Sequence, residues 1–267
     1  MRKLSPWLVS AVALGYLFLY GPIVTLIVYS FNESRLVTVW SGFSTKWYGA
    51  LLANEKLLDA AFLSLKIAAA SATGAMILGT LCAIVLVRFG RFRGRFLFSA
   101  MTTAPLVMPE VITGLSLLLL FVSMQQLIGW PDGRSPLTIA IAHITFATAY
   151  ASVVVQARLA QMDRSLEEAA LDLGARPFKV FMTVTLPLIA PSLIASWLLA
   201  FTLSLDDLVV SSFVSGPGSS TLPMVVFSSV RLGLSPEINA LATILVGTVA
   251  VVVIFAGRLL AQRQQQR

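Results

Sequence analysis

Ionisable residues inside apolar runs are the part of this sequence best placed to do chemistry, because each costs free energy in lipid and needs a reason to be there. Glu110 follows Pro105 and Pro109 within a hydrophobic stretch. Prolines there can open a helix and free carbonyls toward a cavity, so a carboxylate beside the break suits a cation. Asp206 and Asp207 lie nineteen and twenty residues beyond Pro187, which at about 1.5 Å per residue puts them roughly 30 Å from the cytoplasmic end, near the outer mouth. Adjacent helical residues point about 100° apart, so one of the two faces the lumen. Ser204, Asp207 and Ser211 share a polar face, which favours Asp207. The alternative for either aspartate is an interfacial helix end satisfied by backbone or by a neighbouring subunit. With Asp207 at the entrance and Glu110 deeper, fixed negative charge offsets the dehydration of a passing cation in two stages. Each carboxylate is expected to be partly hydrated and not locked in a salt bridge. Trp197 and Phe201, one turn apart, can stack on an organic cation or pack a helix interface.

Other chemistry is missing. No G-x-x-x-x-G-K-[ST] run is present, and Gly216-Pro-Gly-Ser-Ser-Thr221 lacks the lysine and reads as a turn-rich loop, so the chain has no ATPase site of its own. One histidine, His143, and no cysteine or carboxylate cluster leave no metal site. Cys82 is a small apolar packing residue. Lys66, near the outer end of a span, snorkels, and His143 is a similarly structural residue.

The elements that must hold these residues are membrane helices. Apolar residues make up 57% of the 267, charged residues only 12%, and the mean hydropathy is +0.87; soluble domains carry about 25% charged residues. Six stretches reach the about 20 residues a span requires: 7–30, 60–87, 97–128, 137–157, 187–212 and 238–259. The first is too long for a signal-peptide core and no cleavage site follows it, so it is expected to be retained. The chain is thus an all-α, polytopic integral membrane protein with a single transmembrane domain over 1–267. Thirteen Lys and Arg fall on the side that holds both termini and the loops 88–95 and 158–179, against five on the other. Both termini are therefore expected in the cytoplasm. The net charge of +7 is a topology signal and an attraction to anionic lipid heads, not a nucleic-acid footprint. Ser71, Ala75, Gly79 and Ala83 form a small-residue stripe for close packing, within the subunit or against another.

The cytoplasmic segment 158–186 carries a finger. Ser165 and Glu168 have capping-box spacing, Leu166, Ala169, Ala170 and Leu173 recur at helical spacing, and Gly174 suits a helix C-terminus. Arg164, Glu168, Asp172 and Arg176 fall at successive i,i+4 positions whose end pairs can attract. A second helix can start at Pro177 and run to Pro187, where the next span begins.

Glu168-Ala169-Ala170, Gly174 and Leu186-Pro187 resemble, with matching spacing, the EAA loop of binding-protein-dependent ABC importer permeases; Val184 stands where that pattern has Ile. The likeness covers nearly the whole chain, including 102–114, 204–216, 221–224 and 230–240, which resemble polyamine permeases of the putrescine type. It implies a type I importer permease of the bacterial inner membrane. Such a chain pairs with a homologous second permease, two cytoplasmic ATP-binding subunits and an extracytoplasmic polyamine-binding protein. It binds no cofactor itself, and ATP is used by the partners. The loop becomes a coupling helix seated on an ATPase subunit, with Glu168, Ala169, Ala170 and Gly174 as coupling residues. Spermidine or another small solute is an alternative cargo. An intramembrane enzyme lacks its catalytic constellation here, and a plain scaffold does not explain the finger.

Overall fold

The computed structural model describes residues 5–36, 39–232 and 236–265, side chains at 6, 232 and 252–265 excepted. Arg2, Lys3, Arg267 and residues 233–235 of the polyamine-permease-like stretch therefore lie outside the described residues, as do the side chains of Arg258 and Arg263.

In chain order the helices are α1 (Pro6–Ser30), α2 (Lys46–Ala53), α3 (Glu55–Arg88), α4 (Arg95–Thr103), α5 (Glu110–Ile128), α6 (Pro136–Gln161), α7 (Ser165–Asp172), α8 (Pro177–Val180), α9 (Leu186–Leu205), α10 (Val209–Val214), α11 (Leu222–Leu232) and α12 (Pro236–Gln265). Among the described residues the only extended pairing is an isolated bridge between Asn32 and Phe43. All-helical architecture is what the bilayer allows, since a helix satisfies its own backbone where water is absent. Among the described residues five helices are long and apolar enough to cross a membrane: Trp7–Ser30, Glu55–Arg88, Glu110–Ile128, Pro136–Gln161 and Pro177–Leu205. Helix α12, at 30 residues, has the length of a sixth, its described apolar part running Pro236–Val251.

Two expected spans differ from the observed helices, at three places in all, each for a backbone reason. The stretch 97–128 is not one helix: a short 3-10 turn at Ala104–Leu106 and the Met108-Pro109 step divide α4 from α5, because proline lacks the amide that would continue the ladder. The stretch 187–212 likewise breaks at Asp206–Leu208, separating α9 from α10. At its N-terminal end that span does not begin at Pro187. It runs without interruption from Pro177 through a π turn at Phe181–Thr185 into Leu186, and the wider turn gives the Pro187 ring room that an α turn would deny it.

Two compact units divide the chain, Met1–Leu58 with Val226–Arg267, and Asp59–Val225. In the first, α12 packs on α1 and α2. Buried Asn32 organises the 31–44 loop: its Oδ1 accepts from the Ser34 and Ser41 amides, its Nδ2 donates to the Val39 carbonyl, and its own carbonyl accepts from Trp47 Nε1 at 2.7 Å. In the second, α6 is the central rod, packed on α9 and α10. Helix α3 meets α6 through the small-residue stripe, all four members of which are buried. A Cβ at Gly79 would stand 2.7 Å from Ala151 Cβ and 2.8 Å from the Ser152 nitrogen, so glycine is required for this approach. The stripe thus serves packing inside the subunit.

Candidate functional site

The two helix breaks face a common space. A cavity of about 470 Å³ is lined by Pro105, Met108, Pro109, Glu110 and Thr113 from the first break, by Leu203, Asp206, Asp207, Leu208, Val209 and Val210 from the second, and by Phe146 and Tyr150 of α6 between them. Glu110 is the first residue of α5, where the positive end of a helix favours a carboxylate. Its side chain is exposed, as is that of Asp206, and among the described residues neither forms an ion pair.

Asp207 is different. It is only 9% exposed; its Oδ1 accepts from the Val210 amide at 3.2 Å, and its Oδ2 from the Ser211 amide at 2.7 Å. His143 Nε2 lies 3.1 Å from the same Oδ2 and 3.1 Å from Ser211 Oγ, while His143 Nδ1 lies 2.6 Å from Ser204 Oγ. The shared face of Ser204, Asp207 and Ser211 is therefore real, and it meets a fully buried histidine, while Asp207 also borders the cavity. The geometry differs from the expected arrangement at two points. Asp207 is locked by its partners and Asp206 is the open carboxylate. The proposed entrance and deeper stages also border one cavity, because the chain breaks at both places and folds the breaks together. His143, read from the sequence as a bland packing residue, joins α6, α9 and the start of α10.

On the loop 158–186, α7 ends at a Schellman turn: the Gly174 amide donates to the Leu171 carbonyl at 2.8 Å and the Ala175 amide to the Ala170 carbonyl at 3.1 Å, with Gly174 at φ +81°. The capping box is not formed. Asp163 Oδ1 accepts the Ser165 amide at 3.0 Å, and this bond holds the Asp163 carboxyl below the usual carboxylate range. The i,i+4 pair at Arg164 is also absent, because Arg164 Nη2 donates to the Val87 carbonyl at 2.7 Å. Glu168 and Ala169 are exposed and Ala170 half-buried, beside exposed Leu166, Leu173 and Phe178. Glu167, which sequence reasoning passed over, is the tethered acid. Its Oε2 lies 3.1 Å from Arg88 Nε, and its Oε1 accepts from Arg88 Nη2 at 3.3 Å and from Thr185 Oγ1 at 2.7 Å. Its position one residue before the motif glutamate was the available signal.

Residues 75–266 match the family of the binding-protein-dependent transport system inner membrane component. The chain belongs to that family. Its relatives include the putrescine transport system permease protein PotI of Escherichia coli K12, 61% identical over 98% of this chain and 94% of that one. The spermidine/putrescine transport system permease protein PotC of the same organism is 44% identical over 92% and 90%. Among solved structures, a bacterial ABC transporter that imports the acidic polysaccharide alginate has a chain with TM-score 0.71 at 18% identity, covering 96% of this chain and 98% of that one. A chain of the MetNI methionine transporter gives TM-score 0.60 at 16% identity over 77% and 94%. The fold is thus that of a type I importer permease.

Not every residue expected along the permease's path reaches the cavity. Trp197 and Phe201 stack with centroids 5.2 Å apart, pack on the alanine cluster of Ala72, Ala75, Ala147 and Ala200, and Trp197 Nε1 donates to Thr73 Oγ1 at 3.0 Å. They are absent from the cavity lining, since their face of α9 looks toward α3 and α6. Lys66 lies over the Phe62 ring at 4.2 Å, exposed.

Proposed function

We propose that this permease passes a short aliphatic polycation, putrescine, into the bacterial cytoplasm. The observation that carries the reading is the cavity where Glu110, Asp206 and Asp207 meet at two helix breaks beside Tyr150 and Phe146. An organic diamine loses hydration on entering such a space, and open carboxylates and aromatic faces compensate it. Glu110 and Asp206 meet the cation directly, while Asp207 keeps the second break in shape. The 61% identity to PotI supports putrescine as cargo, and the 44% identity to PotC supports spermidine as the second choice.

The same proposal includes the working assembly: a homologous second permease, ATP-binding subunits that do the hydrolysis, and an extracytoplasmic polyamine-binding protein. Six spans over 1–267 rest on the six apolar stretches, and the excess of Lys and Arg on one side puts both termini in the cytoplasm. The loop 158–186 then faces the ATP-binding subunits, with Glu168, Ala169, Ala170 and Gly174 at the contact and Leu186-Pro187 leading into the span. Its exposed apolar residues, Leu166, Leu173 and Phe178, are suited to such a partner.

Uptake of labelled putrescine into proteoliposomes holding the whole complex, with spermidine and unlabelled solutes as competitors, tests the substrate. Saturable uptake blocked by putrescine and only weakly by spermidine is expected. Uptake indifferent to both amines would overturn the polyamine reading. Labelling of a cysteine placed in loop 88–95 from outside intact cells would overturn the orientation.

A further inference from the structure

We infer that Glu167, not the neighbouring Glu168, is the residue through which the cytoplasmic finger moves the spans, a positioning role that rests on the permease reading above. The two glutamates are adjacent in α7 and so point about 100° apart. Glu168 is exposed, whereas Glu167 is half-buried and takes three polar contacts. Those contacts reach two different elements. Arg88 is the last residue of the 34-residue α3, and Thr185, 5% exposed, is the last residue of the π turn that leads into α9. A displacement of α7 is thus applied to the ends of two long rods, which carry it along their length because a packed helix does not absorb it. The Arg164 bond to the Val87 carbonyl adds a second tether to the same end of α3.

The surroundings suit a contact that holds under load. A recess of about 250 Å³ beside the pair is lined mainly by apolar side chains, among them Ile84, Leu159, Leu171 and Phe181. Side-chain exposures of 14% for Arg88 and 18% for Glu167 keep both charges partly hydrated, so the desolvation cost of a fully buried pair is avoided while salt screening is reduced. Arg88 Nη2 donates to Glu167 Oε1 while Nε stays 3.1 Å from Oε2 as a charge contact without hydrogen-bond geometry, and the planar guanidinium fixes direction as a lysine would not.

The test uses the intact transport complex in proteoliposomes and reads substrate imported per ATP hydrolysed. Arg88→Glu and Glu167→Arg each lower that ratio by about tenfold or more, with binding-protein-stimulated ATP hydrolysis retained and KM for uptake unchanged, and the paired exchange recovers at least about a third of it. A wild-type ratio in either single reversal overturns the assignment. So does a paired exchange no better than the worse single while the complex assembles. If the reversals do not assemble, the near-isosteric Glu167→Gln and Thr185→Val decide, and a wild-type ratio in both overturns it. Should the wild-type complex import another solute and no putrescine, the substrate reading falls alone, and the same ratio measured with that solute still decides the role of Glu167.

Discussion

The two ends of the second unit each tie helices together through one carboxylate, and they do so under different physical conditions. At the end that holds the two helix breaks Asp207 is buried: its partner His143 has no exposed surface, and two backbone amides bind its oxygens. At the end that holds α7 Glu167 stays partly wet, and its partners are all side chains. A carboxylate bound by backbone amides of its own helix turn cannot let go without unfolding that turn, so the Asp207 cluster fixes a shape. Side chains can rotate away and return, so the Glu167 contact can take part in a cycle. A carboxylate thus serves as a fixed anchor in one place and as a movable link in the other, and the kind of donor that holds it decides which.

The sharpest way to break the comparison is His143→Leu. It leaves Asp207 and Ser204 without their buried partner, and a hydrogen bond to a charged group contributes about 1.5–3 kcal/mol. The expected outcome is a steep fall in thermal stability of the detergent-solubilised complex and poor recovery from membranes. A loss below about 1 kcal/mol would show that the break at Asp206–Leu208 holds without His143. Next in size is the open pair. Glu110→Gln together with Asp206→Asn keeps shape and removes charge, and uptake is expected to drop by about a hundredfold, equivalent to about 2.7 kcal/mol, with assembly and basal ATP hydrolysis intact. Each single change should give roughly half of that in free energy if the two act independently. Wild-type uptake in the double variant would remove both from the proposed path.

How much of this was legible beforehand follows the same division between backbone and side chain. Apolar length announced the membrane helices, and Pro105 and Pro109 pointed to an opening beside Glu110, as the structure has it. No comparable signal marks the break after Leu205, where no proline intervenes; the helix stops where the Asp207 carboxylate takes the amides of Val210 and Ser211. Helical phase made the shared face of Ser204, Asp207 and Ser211 readable, but not the histidine that it meets. His143 and Asp207 are 64 positions apart, and Arg88 and Glu167 are 79 apart. Pairs this distant are set by how helices pack, which no local periodicity encodes. Gly174, by contrast, was readable, because a helix C-terminus with a left-handed residue is a local event.

That local event supplies the smallest prediction, and it bears on the Glu167 side of the comparison. Gly174 sits at φ +81° with open space where a Cβ would go, so Gly174→Ala meets no neighbour and suffers only the backbone penalty of about 1–2 kcal/mol for a left-handed L-residue. The Schellman bonds to Leu171 and Ala170 weaken, and the end of α7 frays. Because Glu167 lies at the opposite end of that helix, its contacts with Arg88 and Thr185 should survive. Global stability is then expected to change little, while the exposed face at Glu168 and Ala169 loses definition and import per ATP falls by about five- to tenfold, in line with the backbone penalty. Hydrogen exchange over 169–175 should quicken in this variant and stay at wild-type rates across 163–167. Equal quickening at both ends would mean that α7 unfolds as one piece, and the finger would then be a hinge with no fixed base.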